Sequence, residues 1–333
     1  MSNRIFYAIT LAPILLFAQD GRGGREMAKA PTDVKPGSIT YEDVQYPYPV
    51  HYMPLTVYGQ DVRMAYMDVP PEGTPNGRNV VLFHGMNFGG FYFAGPIDVL
   101  RKEGFRVIVP DQIGFGRSSK PIIPYNFHDM AANTKKLLDM LGVSKTVIMG
   151  HSMGGMLAAR FAATYTDLTE EVVIYDPIGL TDVRWQRPWT SAEDMYKRTM
   201  SESQDQLYAA FSANIHYYFP DAWKPEYEKY VRILYAPTLS SDWPRLAMVR
   251  SIYQGMPYLD PVVYDWAHIQ CKALVIGGEL DDNRNFPEHA RHIAESIPKG
   301  NATLVILPGL GHVPHLQAPD MFYPPLLKFL KSE

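Results

Sequence analysis

The stretch TVIMGHSMGG, residues 146–155, decides how this chain of 333 residues is organised. Its first four residues are largely apolar, rich in β-branched side chains and too few for a helix, so they predict a buried strand. Gly150 and Gly154 stand two positions before and after Ser152, where a strained strand-to-helix turn needs neighbours without a Cβ atom. Apolar residues then recur at helical spacing, namely Met153, Met156, Leu157 and Phe161. The stretch therefore predicts a strand, a tight turn that projects the Ser152 hydroxyl, and a helix.

A serine held between a strand and a helix in this way resembles the nucleophile elbow of the α/β-hydrolase family. The resemblance implies that Ser152 is a nucleophile and that the backbone N–H of Met153 is one donor to an oxyanion. The motif HGMN, residues 84–87, follows a strand predicted over 79–83 and is similar to the family's oxyanion loop. It implies that the backbone N–H of Met86 is the second donor.

Two motifs near the end of the chain resemble the family's acid and base positions. GELD, residues 278–281, and GHVP, residues 311–314, each follow a predicted strand. A serine hydroxyl needs a base that takes and later returns its proton, which suits imidazole, and a carboxylate fixes the imidazole tautomer. The family order of serine, acid and histidine is met by Ser152, Asp281 and His312.

Two other aspartates compete for the role of the acid. Asp282 is adjacent to Asp281 and would take the role if the loop register shifted by one residue. Asp176 follows an earlier predicted strand, a position from which some family members supply their acid. His315 lies three residues after His312, fits the motif less well, and is expected to be a cap-facing or solvated neighbour.

The sequence predicts neither a metal nor a cofactor. Cys271 is the only cysteine, which excludes an intramolecular disulfide and a thiolate metal site. His289 and His292 lie one turn apart without a nearby third ligand and are expected to be ordinary surface histidines. The loop DQIGFGRS, residues 111–118, resembles a family loop and lacks the third glycine of a dinucleotide fingerprint.

Strand patterns alternate with helical patterns along most of the chain. The predicted strands span residues 51–57, 62–69, 79–83, 106–110, 146–149, 172–175, 273–276 and 302–307, and predicted helices cover residues 126–141, 287–296 and 320–330. This alternation predicts an α/β fold, a mainly parallel sheet with helices on both faces. The predicted parts are a signal peptide (1–18), a flexible linker (19–38), an α/β-hydrolase core (39–179 and 269–333) and a helical cap (180–268).

The alternation is interrupted over residues 180–268, which contain all five tryptophans. An insertion here resembles the helical cap that many family members place over the active site, and residues 197–211 and 225–234 are predicted helices. Some of its aromatic side chains should line an apolar pocket. Trp185 and Trp189, close in sequence to the strand end at Asp176, are predicted to line it.

Residues 1–18 have one arginine followed by an apolar run too short to span a bilayer, which predicts a signal peptide and a periplasmic or secreted protein. No stable membrane insertion is expected after its removal. A net charge of −4 argues against nucleic acid as a partner. The expected partner is a small-molecule substrate, and the sequence leaves the oligomeric state open.

These features together predict an exported serine hydrolase that cleaves an ester or lactone of an apolar or aromatic small molecule. Serine at the elbow argues against dehalogenases and epoxide hydrolases of the same fold, which use aspartate there. Two alternatives remain open: a C–C bond hydrolase of this fold, and a small-molecule binding protein with little turnover.

Overall fold

The computed structural model of the protein describes residues 28–185, 187–298 and 300–332. The predicted signal peptide lies outside these residues, so export stays a prediction. Within the described ranges, no helix combines the length and the apolar character that a membrane span requires.

Eight strands in the described residues form one sheet. They are β1 (His51–Val57), β2 (Gln60–Val69), β3 (Asn79–Phe83), β4 (Arg106–Pro110), β5 (Thr146–His151), β6 (Thr169–Tyr175), β7 (Lys272–Gly278) and β8 (Ala302–Leu307). Their order across the sheet is β1-β2-β4-β3-β5-β6-β7-β8, with β2 antiparallel to both of its neighbours and all other pairs parallel. The predicted fold class, a mainly parallel sheet, is confirmed.

Eleven α-helices accompany the sheet in the described residues. They are α1 (Ala94–Lys102), α2 (Phe127–Met140), α3 (Met153–Thr164), α4 (Ala192–Ser201), α5 (Gln204–Tyr217), α6 (Glu228–Tyr235), α7 (Trp243–Tyr253), α8 (Met256–Leu259), α9 (Phe286–Ser296), α10 (Pro314–Gln317) and α11 (Pro319–Leu330). Helices α2, α3 and α9 share one apolar cluster with the sheet, and α1 and α11 share the other. Because successive side chains of a strand point to opposite faces, the buried strands contribute to both clusters.

Residues 180–268 contain α4 to α8 and no strand within their described part. The helix predicted over 197–211 is wrong as a single element, because α4 ends at Ser201 and Ser203 is the N-cap of α5. Its side chain accepts a hydrogen bond from Gln206 N, and the Gln206 side chain accepts one from Ser203 N. The second prediction, 225–234, corresponds to a short 3₁₀ turn followed by α6.

The described part of the predicted linker, residues 28–38, lies against the cap segment. Gly37 N donates to Ala236 O at 2.9 Å, and Ala30 N donates to Asp205 Oδ1 at 2.8 Å. Asp33 forms an ion pair with Arg232 at 2.8 Å. These contacts hold residues 28–38 in place, although their composition is typical of a linker.

A buried arginine joins the elbow helix α3 to the end of the cap segment. Arg160 is 4% exposed, and its guanidinium donates to Asp265 Oδ2 at 2.5 Å, Asp260 Oδ1 at 2.8 Å and Pro261 O at 3.2 Å. One buried cation thereby pairs with two carboxylates that are themselves largely buried. Removing such a cation leaves uncompensated charge, which is more costly than the loss of an exposed pair.

We expect Arg160→Met to lower the free energy of unfolding by about 3 kcal/mol, because two carboxylates lose their cation. Urea denaturation followed by circular dichroism measures this loss. Lys135→Met is the control, since Lys135 pairs with Asp139 at the surface, and its expected loss is at most about 1 kcal/mol. Equal losses in the two variants would contradict the assignment.

The loop after β7 is tied to α9 by an ion pair between Asp282 Oδ2 and His289 Nδ1 at 2.6 Å. The hydrogen bond with Asp282 raises the pKa of His289 above its ordinary value. A histidine whose pKa is higher in the folded state than in the unfolded state stabilises the fold at low pH. That stabilisation is complete below the unfolded-state pKa, about 6.5, and is lost as the pH rises through the folded-state pKa.

We therefore expect His289→Gln to destabilise the protein more at pH 5.5 than at pH 8.5, by a difference of up to about 1 kcal/mol. Urea unfolding at both pH values measures this difference. His292→Gln, at an exposed position of the same helix, is the control for removing an imidazole, and the extra loss at pH 5.5 should be larger in His289→Gln. A larger effect of His289→Gln at pH 8.5 would reverse the sign and contradict the ion pair.

Candidate active site

Ser152 occupies the strained turn between β5 and α3. Its backbone has φ 59° and ψ −120°, a left-handed conformation that is costly for a residue with a side chain. The close packing of the turn requires the flanking glycines. A Cβ atom on Gly150 would lie 1.8 Å from Gly154 O, and one on Gly154 would lie 2.2 Å from Phe83 O. The predicted elbow geometry is therefore present at Ser152.

Asp281 and His312 form a buried hydrogen-bonded pair at the ends of neighbouring strands. His312 Nδ1 lies 2.9 Å from Asp281 Oδ2, and each side chain is 4% exposed. Because a carboxylate accepts, Nδ1 carries the imidazole proton, which leaves the lone pair on Nε2. No hydrogen bond between Ser152 Oγ and His312 Nε2 is formed in the described structure; such bonds are often long without substrate.

The two predicted oxyanion donors belong to segments that adjoin Ser152: Met153 follows it, and a Cβ atom on Gly85, the residue before Met86, would lie 3.2 Å from Ser152 Cβ. Neither Met86 N–H nor Met153 N–H donates to an acceptor among the described residues. Met153 is the first residue of α3, so its N–H has no intrahelical partner, and the helix dipole adds positive potential there. Both amides are therefore available to an anionic oxygen.

The loop that carries Met86 is held by the buried carboxylate of Asp111. Asp111 Oδ1 accepts from Gly90 N at 2.6 Å, and its Oδ2 accepts from Arg117 N at 2.8 Å and Tyr46 Oη at 2.6 Å. A Cβ atom on Gly116 would lie 2.2 Å from that carboxylate. The 111–118 motif thus has a structural role.

His151, which the sequence analysis passed over, connects three parts of the site. Its Nε2 donates to the backbone oxygen of His312 at 2.7 Å, and its Nδ1 accepts from Tyr92 Oη at 2.8 Å. Tyr92 Oη in turn accepts from Gly85 N at 3.0 Å. Burial, reinforced by the neighbouring His312, holds the pKa of His151 well below its ordinary value. The neutral ring therefore links the oxyanion loop, the elbow and the loop of His312.

The two rival aspartates have different surroundings from Asp281. Asp282 is paired with His289 and forms no hydrogen bond with His312. Asp176 is fully buried, its Oδ1 accepts from Gly278 N at 2.8 Å, and its Oδ2 has no hydrogen-bond partner in the described residues. Burial and the negative charge of Asp281 raise the pKa of Asp176 well above its usual range. Asp176 is therefore held toward its neutral form.

Among the described residues, one group has the composition of a possible metal site. Ligand atoms of Asp176, Asp281 and His312 lie within 4.8 Å of one another. The hydrogen bond between His312 Nδ1 and Asp281 already engages two members of this group. The residues therefore fit an acid–base pair better than a metal centre, and the predicted absence of a metal and a cofactor stays a prediction.

The tryptophans predicted to line the pocket lie elsewhere. Trp185 is 89% exposed, and Trp189 is 43% exposed and packs against Tyr258 and Gly255. Composition identified the aromatic insertion but could not tell which of its rings turn inward. The aromatic residue that contacts the histidine is Tyr218, whose ring centroid lies 4.7 Å from that of His312.

The expectation for His315 is also wrong. Its side chain is buried, with Nδ1 accepting from Tyr175 Oη at 2.5 Å and Nε2 lying 3.4 Å from Tyr92 O. Burial lowers the pKa of His315 to about 3, so the ring is neutral. His315 therefore packs inside the core next to the site and faces neither the cap nor solvent.

Comparison with known proteins gives consistent results. The sequence profile of the alpha/beta hydrolase family matches residues 80–324. The crystal structure of a probable hydrolytic enzyme from Pseudomonas aeruginosa PAO1 is 36% identical, covers 90% of this chain and 99% of its own, and superposes with a TM-score of 0.84.

Two more distant structures share the fold. An enol-lactonase from Burkholderia xenovorans LB400 is 21% identical, with a TM-score of 0.65, over 84% of this chain and 100% of its own. A thermophilic esterase from Thermogutta terrifontis is 23% identical, with a TM-score of 0.66, over 84% of this chain and 98% of its own. With the profile match spanning most of the chain and the strand order described above, this protein belongs to the alpha/beta hydrolase family.

Proposed function

We propose that the protein hydrolyses a carboxylic ester or lactone through a covalent acyl-enzyme on Ser152. The observation that carries the proposal is the buried hydrogen bond between His312 Nδ1 and Asp281, beside a serine in a strained turn. A buried aspartate that fixes the tautomer of a histidine is the arrangement that activates a serine. The esterase and lactonase among the structures of this fold are in keeping with that chemistry.

In the first step, His312 Nε2 takes the proton from Ser152 Oγ as the oxygen attacks the carbonyl carbon of the substrate. The carbonyl oxygen becomes an oxyanion and accepts hydrogen bonds from Met86 N–H and Met153 N–H. The tetrahedral intermediate collapses when the ester oxygen takes the proton from His312 and leaves as an alcohol. An acyl group then remains bound to Ser152.

In the second step, His312 Nε2 takes a proton from water, and the resulting oxygen nucleophile attacks the acyl carbon. A second oxyanion forms at the same two amides, and Ser152 Oγ leaves with the proton returned by His312. The carboxylic acid product is released and the enzyme is restored. In a lactone, the alcohol and the acid belong to one molecule, so the first step opens the ring and the second releases a hydroxy acid.

Asp281 stabilises the imidazolium that exists in both steps, since it accepts from Nδ1 at 2.9 Å. Asp176 lies next to Asp281, and burial together with the charge of Asp281 raises its pKa, which holds Asp176 toward its neutral form.

We expect Ser152→Ala and His312→Ala each to lower kcat by on the order of 10³–10⁶-fold on p-nitrophenyl esters. The reason is that nucleophile and base act in the same step, so losing either removes the acyl-enzyme route. Initial rates, together with the mass of the protein after treatment with a fluorophosphonate, measure both parts of the claim. The wild type should gain one adduct at Ser152 and Ser152→Ala none. A wild type that binds p-nitrophenyl esters without an adduct or turnover would favour the binding-protein alternative.

We expect Asp281→Asn to lower kcat by roughly 10²–10⁴-fold and Asp176→Asn by less than about 10-fold. Asparagine can keep the hydrogen bond that Asp176 accepts from Gly278 N, whereas at 281 it removes the carboxylate that faces His312. Both changes are matched in size, and melting temperatures control for misfolding. If Asp176→Asn is the more damaging change, the acid of the reaction is Asp176.

A further inference from the structure

Arg250, on the inward side of α7, is a buried cation without a carboxylate partner among the described residues. It is 7% exposed, and it forms none of the salt bridges found in the described structure. Burying a guanidinium away from water is costly unless an anion or several hydrogen bonds compensate it. The other buried arginine, Arg160, has two aspartates for this purpose. Arg250 therefore needs an explanation.

The contacts of Arg250 leave most of its donors unused. Its Nη2 donates to Asn87 Oδ1 at 3.4 Å, a long hydrogen bond. The guanidinium also lies over the rings of Phe211, at 5.2 Å, and Tyr253, at 5.8 Å. Aromatic faces stabilise a guanidinium and hold its plane, but they accept no ordinary hydrogen bond. A planar fork of N–H groups is thus oriented and still able to bind an anion.

A chain of contacts connects this guanidinium to the candidate catalytic residues. Asn87 follows Met86 in the oxyanion loop, and its Nδ2 donates to Tyr218 Oη at 2.8 Å. The Tyr218 ring packs against the His312 ring, and Tyr218 O accepts from His312 N at 3.0 Å. Arg250 is therefore separated from the catalytic histidine by one amide side chain and one phenol ring.

The cavity around Arg250, about 20 Å³ in volume, has room for one small polar group, and its lining offers donors and no acid. Its polar lining includes Asn87, Asn214 and Gln254, and its apolar lining includes Leu207, Phe211 and Trp243. Asn87 Nδ2 donates to Asn214 Oδ1 at 2.5 Å, so the Asn214 Nδ2 donors take no part in this hydrogen bond. The Tyr218 hydroxyl already accepts from Asn87, so its own proton is available. Donors around a cavity of this size suit a small anionic group whose apolar body lies outside the cavity.

We propose that Arg250 binds a carboxylate of the substrate, so that the substrate class is an ester or lactone with a second, free carboxylate on an apolar or aromatic body. The inference rests on the proposed function and makes the substrate class more specific. A guanidinium binds a carboxylate by two parallel N–H···O bonds, which supplies orientation as well as binding. The anion would neutralise the buried charge, and its position would fix which carbonyl faces the two oxyanion amides.

The kinetic test compares two esters of similar length, p-nitrophenyl hydrogen glutarate and p-nitrophenyl valerate, which differ in a terminal carboxylate. Arg250→Gln should lower the ratio of kcat/KM values, glutarate over valerate, by about 10–100-fold, because hydrogen bonds to charged groups contribute roughly this much. The change should arise mainly in KM. Arg250→Lys keeps the charge without the fork and should give an intermediate ratio.

Arg245→Gln is the matched control, because it removes the same charge from an exposed position of the same helix. Its ratio of kcat/KM values should stay within about twofold of the wild type. Melting temperatures identify a variant that fails to fold, and in that case Arg250→Lys carries the test. An unchanged ratio in folded Arg250→Gln and Arg250→Lys, or an equal loss on both esters, would overturn the proposal.

Binding separates this inference from the proposed function. In Ser152→Ala, which cannot turn over substrate, calorimetry with 4-phenylbutyrate and 4-phenylbutan-1-ol should show tighter binding of the acid, and adding Arg250→Gln should remove the difference. If that result is obtained while the wild type shows neither turnover nor a fluorophosphonate adduct, the anion site stands and the hydrolase proposal fails. If turnover is present and the two compounds bind equally in Ser152→Ala, the anion site is refuted and the hydrolase proposal stands.

Discussion

The site depends on a close approach between backbone segments that leaves no room for a Cβ atom at Gly150 or Gly154. Where α3 starts, Gly154 lies against the end of β3 and Gly150 lies against the first turn of the helix. This approach forces Ser152 into the left-handed region and gives Met153 the unpaired N–H of a helix start. The strain is local, whereas the burial that offsets it involves the whole sheet, because β5 is central and buried along its length. The proposed nucleophile and the proposed oxyanion donor are therefore two results of one constraint.

Sequence reasoning was accurate where the determinants are local. Four or five consecutive residues determine the geometry of a turn with two required glycines. The same holds for a strand end that is followed by a glycine and a histidine. Several strand boundaries, such as those of β3, β4 and β8, follow from short apolar runs bounded by polar residues. In the cap, the patterns are interrupted by proline and aromatic residues are abundant on every face. There, the capping residue Ser203 decided a helix boundary that periodicity did not detect.

Roles that depend on tertiary approach could not be predicted from spacing. His151 meets the backbone of His312 across 161 positions of sequence, and Arg250 meets Asn87 across 163. Residue type alone favoured tryptophan as the pocket aromatic, but Trp185 lies in solvent while Tyr218 contacts the histidine. The chemical type of a side chain determines which interactions it can form once it is buried. Which side chain becomes buried is decided by the packing of the cap on the core.

Burial also decides where charge can exist in this site. Desolvation lowers the pKa of His84, His151 and His315. These rings are therefore neutral, and they form hydrogen bonds with the backbone. His312 differs from them because it has a carboxylate, Asp281, against Nδ1. In the proposed mechanism His312 takes a proton, and the new positive charge then appears at the one imidazole among these four with a paired anion. The surrounding low dielectric strengthens both the ion pair and the oxyanion hydrogen bonds, because water would otherwise screen the charges that take part in them.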